Sequence, residues 1–396
     1  MKLVILMHPK IVFHGRRGQL ATAALCKDLF AWKLAVLLCI LFQSFAAIAQ
    51  AEPYILHRMA VLPYARINGM NDNGMVVGFH GSVDGKVGSP QQGFIYDHKG
   101  LIGAPQAVHS LNEWIPTPTG SNGSSCVGIN NLNQVVGYFS DSSGKRVGYF
   151  LDLGTRSWDF LQKPTWSAVS YGVRINDASD VLVTSQNTVS QPTVYQADIV
   201  NVSNYTPVYV RSLGAVSNLA DLNNLGQVTG TLANGSAAKI DSDGTVTTLP
   251  LNGGLRLNNL GVVGGTYTVD RQYRVARFFG GVLEPIADFC NGVYDINDQG
   301  DVAARMTSTG MGALFTDEVG WKSINELVTG AASANDWLFW TNSNTKDKTV
   351  CTLSNRINSA GLMAGVATYT STTGKGKNAV TTSETRWYLI IPASAY

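Results

Sequence analysis

Met70-Asn71-Asp72-Asn73-Gly74-Met75-Val76-Val77-Gly78 is one of seven related stretches in the chain. The others are Ile129-Asn130 to Gly137, Ile175-Asn176 to Val183, Leu222-Asn223 to Gly230, Leu257-Asn258 to Gly265, Ile296-Asn297 to Ala304 and Ile357-Asn358 to Gly365. Each reads as an aliphatic residue, Asn, two variable positions, Gly, one variable position, Val, one variable position and a small residue. Asn is present in every copy. Three residues beyond it stand Gly74, Asn133, Ser179, Gly226, Gly261, Gly300 and Gly361, and two further on come Val76, Val135, Val181, Val228, Val263, Val302 and Met363. Gly, and after it Asn, adopts positive φ at least cost. The spacing therefore predicts a tight hairpin whose Asn side chain accepts hydrogen bonds from the turn's own backbone and whose Gly takes the left-handed position. The aliphatic residue before the turn and the Val after it share a buried face, and the closing small residue admits a bulky neighbour.

Successive motif asparagines lie 59, 46, 47, 35, 39 and 61 residues apart, close to the ~40–50 residues of propeller repeats. A third apolar stretch follows the hairpin, seen in Gly93-Phe94-Ile95-Tyr96, Gly148-Tyr149-Phe150-Leu151, Arg277-Phe278-Phe279 and Gly312-Ala313-Leu314-Phe315. A fourth follows that, in Trp158-Asp159-Phe160-Leu161, Val246-Thr247-Thr248-Leu249, Val282 to Ile286 and Trp321-Lys322-Ser323-Ile324. Short antiparallel strands in fours make propeller blades. Trp387 to Ile391 reads as a third strand with nothing after it, while Tyr54 to Leu62 precedes the first hairpin as an orphan. The expected fold is all-β, a seven-bladed β-propeller of four-stranded antiparallel blades, with the last blade closed by the N-terminal strand. An open array would leave exposed sheet edges.

Leu34 to Ile48 is a nearly unbroken apolar run, preceded by Lys27 and Lys33 and followed by Ala47-Ile48-Ala49-Gln50-Ala51. This has the form of a secretory signal peptide cleaved after Ala49 or Ala51; an uncleaved signal anchor is the alternative. The domains expected are a leader at 1–51 and a single repeat domain at 52–396, secreted or periplasmic. Loss of the leader removes Lys2, Lys10, Arg16, Arg17, Lys27, Lys33 and Asp28, which leaves 23 basic against 26 acidic side chains, a net charge of −3. The +2 of the whole chain is a property of its leader, so nucleic acid is not an expected partner. Only 14% of residues are charged and 41 are Gly, which favours short strands and frequent turns.

The repeats resemble the bacterial extracellular HAF repeat family, whose core reads Ile-Asn-x-x-Gly-x-Val-Val-Gly with an aromatic third strand and often a Leu-Asn pair before the next repeat. Met70 to Gly78 and Ile129 to Gly137 match the core, and Leu111-Asn112 and Ile324-Asn325 match the pair. The third repeat departs most, with Ser179 and Val183 where the family has Gly. The resemblance implies an exported repeat protein with no catalytic residues to transfer.

The chain contains no Gly-x-Ser-x-Gly elbow, no His-Glu-x-x-His and no phosphate-binding glycine loop, each of which would carry a defined chemistry. Asp295 to Asp301 begins like a calcium loop, but Met306 stands where the bidentate Glu is needed, and turn chemistry explains the same place in all copies. His57, His80, His98 and His109 are separate in sequence, with solvated positions as their default. No cofactor or metal is expected, and the protein is expected to be monomeric. Trp114, Trp337 and Trp340, with Asp336, fall in the longest spacers. They would either stack a sugar or anchor a protein ligand, or else plug gaps between blades. Cys290 and Cys351 each lie seven residues before a motif Asn, so either they pair across neighbouring blades or the thiols of Cys126, Cys290 and Cys351 stay free. The function expected is that of an exported, non-enzymatic binding or structural propeller with a protein or glycan ligand. The alternative is a secreted glycan-active hydrolase or lyase, which requires carboxylates such as Glu113, Glu326 and Asp336 to converge ~5–10 Å apart.

Overall fold

A strand sandwiched between two sheets must be apolar on both faces, so it reads as an unbroken hydrophobic run. Met75-Val76-Val77, Val135-Val136, Val181-Leu182-Val183 and Tyr149-Phe150-Leu151 are such runs, and all are buried. The computed structural model describes residues 54–59, 65–81, 90–161, 169–187, 194–214, 216–307, 312–328, 348–373 and 380–393. They belong to one compact unit, Pro53–Tyr396.

The N-terminal strand is β1 (Tyr54–Arg58). The first repeat supplies β2 (Arg66–Met70), β3 (Met75–His80), β4 (Gln92–Asp97) and β5 (Ala107–Ser110); the second β6 (Ser121–Ile129), β7 (Gln134–Asp141), β8 (Arg146–Asp152) and β9 (Trp158–Phe160). The third supplies β10 (Val169–Ile175), β11 (Asp180–Asn187), β12 (Val194–Asn201) and β13 (Val208–Gly214); the fourth β14 (Val216–Leu222), β15 (Val228–Leu232), β16 (Ala237–Ile240) and β17 (Val246–Thr248). The fifth supplies β18 (Gly253–Leu257), β19 (Val263–Val269), β20 (Gln272–Phe279) and β21 (Val282–Ala287); the sixth β22 (Cys290–Ile296), β23 (Val302–Met306), β24 (Gly312–Thr316) and β25 (Gly320–Ser323), followed by the one-turn helix α1 (Ile324–Val328). The seventh has β26 (Lys348–Ile357), β27 (Met363–Thr373) and β28 (Val380–Pro392). Among the described residues no helix is long and apolar enough to cross a membrane.

Five sheets have four strands each, and the strands of the second and third repeats form one eight-stranded sheet. The join is a single parallel pair, Ser170 with Val147. Its cause is Gly148, where a Cβ would lie 2.7 Å from the Tyr171 Cα, so only a glycine lets β8 and β10 touch. β1, the first described strand, pairs antiparallel with β28, the last, from Tyr54 opposite Pro392 to Arg58 opposite Tyr388. The N-terminal strand thus completes the last sheet, although β1 ends at Arg58 and β28 extends well beyond the expected five residues.

Neighbouring residues of a strand point to opposite faces and so serve different inter-sheet cores. Val76 and Phe94 pack with Trp387 and Leu389 of the seventh repeat, whereas Met75, Val77 and Ile95 pack with Cys126, Val135 and Tyr149 of the second. The same sharing continues between each later pair of repeats, up to Leu314 and Ile324 of the sixth against Met363 and Tyr388 of the seventh. Sheets stacked face to face, with the last repeat packed on both the sixth and the first, form a β-propeller. The closing small residue of the motif is explained by packing as well: a Cβ on Gly78 would collide with the Arg66 carbonyl and the Phe94 ring.

Candidate functional site: the turn-lined channel

Each motif turn is closed by local hydrogen bonds. In the first repeat, Gly74 N donates to Asn71 O at 3.1 Å and Asn71 N to Met75 O at 3.1 Å, while Asn71 Oδ1 accepts from Met75 N at 2.9 Å. The residue three beyond Asn has positive φ in every copy, from 61° at Asn133 and 62° at Ser179 to 85° at Gly300. Ser179 therefore turns the chain where glycine is missing, and its Oγ donates to the buried Gln134 Oε1 at 2.8 Å.

The other half of each Asn amide reaches the next repeat. Asn71 Nδ2 donates to Asn130 O, Asn130 to Asn176 O, Asn176 to Asn223 O, Asn223 to Asn258 O and Asn258 to Asn297 O, all at 2.8–3.0 Å. Asn297 donates to Asn358 O at 3.3 Å, and Asn358 returns to Asn71 O at 3.0 Å. The seven asparagines make a closed circuit, and all are buried. A second circuit lies one residue further on. The backbone N–H groups of Asp72, Asn131, Asp177, Asn224 and Asn259 donate to the side-chain oxygens of Asn131, Asp177, Asn224, Asn259 and Asp298 respectively, at 2.8–2.9 Å. Ser359 joins it through Oγ to Asp298 at 3.3 Å and N–H to Asp72 at 2.8 Å.

A third layer occupies the position two residues before each motif Asn, which holds Gly69, Gly128, Arg174, Asp221, Arg256, Asp295 and Arg356. Every first strand carries a β-bulge immediately before this position, and bulges re-aim side chains. The charges join the free inner edges of adjoining sheets. Arg174 Nε lies 3.0 Å from Asp221 Oδ1, Asp221 Oδ2 accepts from Leu257 N at 3.2 Å, Arg256 Nε donates to Tyr294 O at 2.6 Å, and Asp295 Oδ2 accepts from Ile357 N at 3.1 Å. Arg356 is 3.8 Å from Asp295. Burial raises the Asp295 carboxyl, aided by the like charge of Asp221 and opposed by Arg356 and Arg256. Burial first, then the Arg174 charge, drives Arg356 down to about 9 despite Asp295. These layers bound a central cavity of about 160 Å³.

A second concavity, about 500 Å³, opens between the fifth and sixth repeats, beside the Leu260 and Gln299 turns. Leu260, Phe279 and Val282 line it and are 62%, 59% and 65% exposed. On its wall Arg277 bonds both oxygens of Glu284 at 3.0 Å and both of Asp317 at 2.7 and 3.2 Å. Burial works against the Arg277 charge, but the bonds to Asp317 and Glu284 prevail and hold its pKa above the ordinary value. Asp301 is raised by burial first, with the Asn297 hydrogen bond and Arg277 opposing and Asp317 and Glu318 adding to the shift.

Trp114 is half-buried against the core that holds Leu111 and Ile115, its ring 5.5 Å from that of His109; Trp337, Trp340 and Asp336 lie outside the described residues. Glu113 and Glu326 do not converge. Glu113 accepts from Ser110 N and sits 2.9 Å from His109, Glu326 accepts from Ser323 N, and the two follow outer strands of different sheets. Each is spent as the acidic member of a capping box. Of the two alternatives for the cysteines, Cys290 is found as a buried free thiol, as is Cys126. Cys290 packs with Val275 of the preceding sheet, Val293 and Ile296, and burial pushes it up to about 12. The Cys351 side chain lies outside the described residues. His57 and His98 are not separate, since β1 brings their rings to 5.2 Å. The charged layer was overlooked in sequence, although alternating Arg and Asp at one offset from successive asparagines was the available signal.

No protein-family model and no curated protein matches the chain. Among solved structures it is similar to a streptogramin B lyase, with 11% identity, TM-score 0.48 and coverage of 86% of this chain and 99% of that one. It is also similar to a catalytically inactive virginiamycin B lyase from Staphylococcus aureus with quinupristin, at 9%, 0.46, 85% and 99%. A third is TolB from Acinetobacter baumannii, at 12%, 0.40, 85% and 80%. At such distance these likenesses carry nothing about activity.

Proposed function

We propose that the chain is an exported, non-enzymatic seven-bladed propeller of the HAF repeat type that binds a protein ligand on the face bearing the Asn-x-x-Gly turns. In this reading the eight-stranded sheet counts as two blades, β6–β9 and β10–β13, and residues 1–51 are the leader. The observation that carries it is the cleft of about 500 Å³ beside Leu260, Phe279 and Val282, within the ~300–1,000 Å³ typical of ligand sites. Three large apolar side chains exposed around one concavity are a mark of recognition. The exposed carboxylates Glu284 and Asp317, held in place by Arg277, favour a segment that offers an apolar side chain next to Lys or Arg. A glycan-active reading has less support, because Glu113 and Glu326 are committed to caps.

The test expresses the full chain, recovers it from cell fractions and screens it against arrayed peptides that vary apolar and basic positions. Binding of apolar-basic peptides, lost with Phe279→Asp at unchanged thermal stability, is the expected result. Equal binding by Phe279→Asp, or glycan cleavage abolished by Glu113→Gln, overturns the proposal.

A further inference from the structure

The charged layer of the channel alternates in sign from Arg174 through Asp221, Arg256 and Asp295 to Arg356, and then meets Gly69 and Gly128 before returning to Arg174. Around the circle the two end arginines are separated only by glycines. In the charged part, each Asp caps a backbone amide on the inner edge of the next sheet, Asp221 that of Leu257 and Asp295 that of Ile357. The equivalent amides opposite the glycines are those of Ile129 and Ile175. A Cβ on Gly69 would lie 3.4 Å from Ile129 N, and one on Gly128 would lie 3.5 Å from Ile175 N. A carboxylate side chain at either glycine would therefore begin where Asp221 and Asp295 do their capping. Among the described residues no side-chain acceptor takes either amide.

We propose that a small free carboxylate occupies this gap, accepting from the Ile129 and Ile175 amides and lying between the Arg174 and Arg356 guanidinium groups. It would act as the missing acidic member of the layer. Two further observations point the same way. Arg356 Nε is buried without a hydrogen-bond partner, and the layer holds three guanidinium groups against two carboxylates. An uncompensated buried charge is costly, and one monoanion balances the five charges of this layer, while Asp72, Asp177 and Asp298 also line the cavity. The cavity of about 160 Å³ includes both glycines and both end arginines and suits an ion of acetate size together with a few waters, each of ~30 Å³. Asp72, Asp177 and Asp298 at the channel mouth have their oxygens engaged by neighbouring N–H and O–H groups. They disfavour entry of multiply charged anions more than that of a monoanion.

The proposal concerns a site other than the cleft beside Phe279, with Asn258 and Asp298 bordering both and Phe279 lining the cleft alone. The experiment titrates sodium acetate against sodium chloride at constant ionic strength into the purified full chain, read by calorimetry and by thermal shift. Saturable acetate binding that raises the melting temperature is expected, with chloride inert. Arg356→Met should weaken it by about tenfold or more, the size of a lost charged hydrogen bond. Gly69→Asp, which builds the carboxylate in, should abolish the acetate response in a protein that still melts cooperatively. Phe279→Asp should leave it unchanged, so failure of the cleft reading and failure of this one are distinct. Absence of saturable acetate binding to the wild-type chain, or wild-type affinity in both Arg356→Met and Gly69→Asp, overturns the proposal.

Discussion

Replacing Asn223 by Ala tests whether the asparagine circuit holds the ring together. Asn223 Oδ1 accepts from Gln227 N at 2.9 Å and Leu225 N at 3.1 Å. Its Nδ2 donates to Gln227 Oε1 at 2.8 Å and, in the next repeat, to Asn258 O at 2.9 Å. A net hydrogen bond contributes about 1 kcal/mol, and a buried partner left unsatisfied costs ~1–3 kcal/mol. Because the residue is buried, the four lost bonds should together cost about 3 kcal/mol. Asn224→Ala is the control: it also removes a link to the neighbouring repeat, through Asp177 N at 2.9 Å and Asp177 Oδ2 at 2.8 Å, but those bonds are exposed to water. Its cost should stay below about 1 kcal/mol. Urea unfolding followed by tryptophan fluorescence and circular dichroism gives both values from the midpoint shift at unchanged slope. Equal losses in the two variants, or a loss below about 1 kcal/mol for Asn223→Ala, would refute the reasoning that burial makes the first circuit structural.

Gly78→Ala forces a methyl group against the Arg66 carbonyl and the Phe94 ring and should destabilise by about 1–3 kcal/mol; Gly292→Ala, which meets open space, should stay within about 0.5 kcal/mol by the same urea assay. Both His57 and His98 titrate below their ordinary 6.5, His57 through burial and His98 through burial and then the charge of His57. The unfolded chain then binds protons more readily, so stability should fall as pH drops from 6.5 toward the lowered values and level off below them. The groups around His98 are His57, Tyr96, Asp97 and Lys99, and His98→Gln should flatten this part of the melting temperature profile. An unchanged slope would locate the acid sensitivity elsewhere.

Much of the fold is legible in one dimension because the turn chemistry is local. Asn71 and Gly74 sit three residues apart and bond within the same hairpin, so their spacing survives in the sequence as a repeat. The apolar runs of the middle strands survive for a related reason, since two packed faces leave no polar position. The same locality explains the capping glutamates, whose Ser-x-x-Glu spacing could have been read as a helix start and not as a pair of candidate acids.

The sequence by itself determined the repeat unit, the place of each turn and the spare strand at either end. Tertiary structure alone decided that each Asn amide donates to the next repeat, that the last donation returns to Asn71, and that Gly148 fuses two neighbouring sheets. It also placed His57 against His98, kept Cys290 as a free thiol and gathered five charges and two glycines into one layer. These contacts join residues tens to hundreds of positions apart. Sequence periodicity records which face of a strand is buried, but not which other strand covers it, and only closure of the ring settles that.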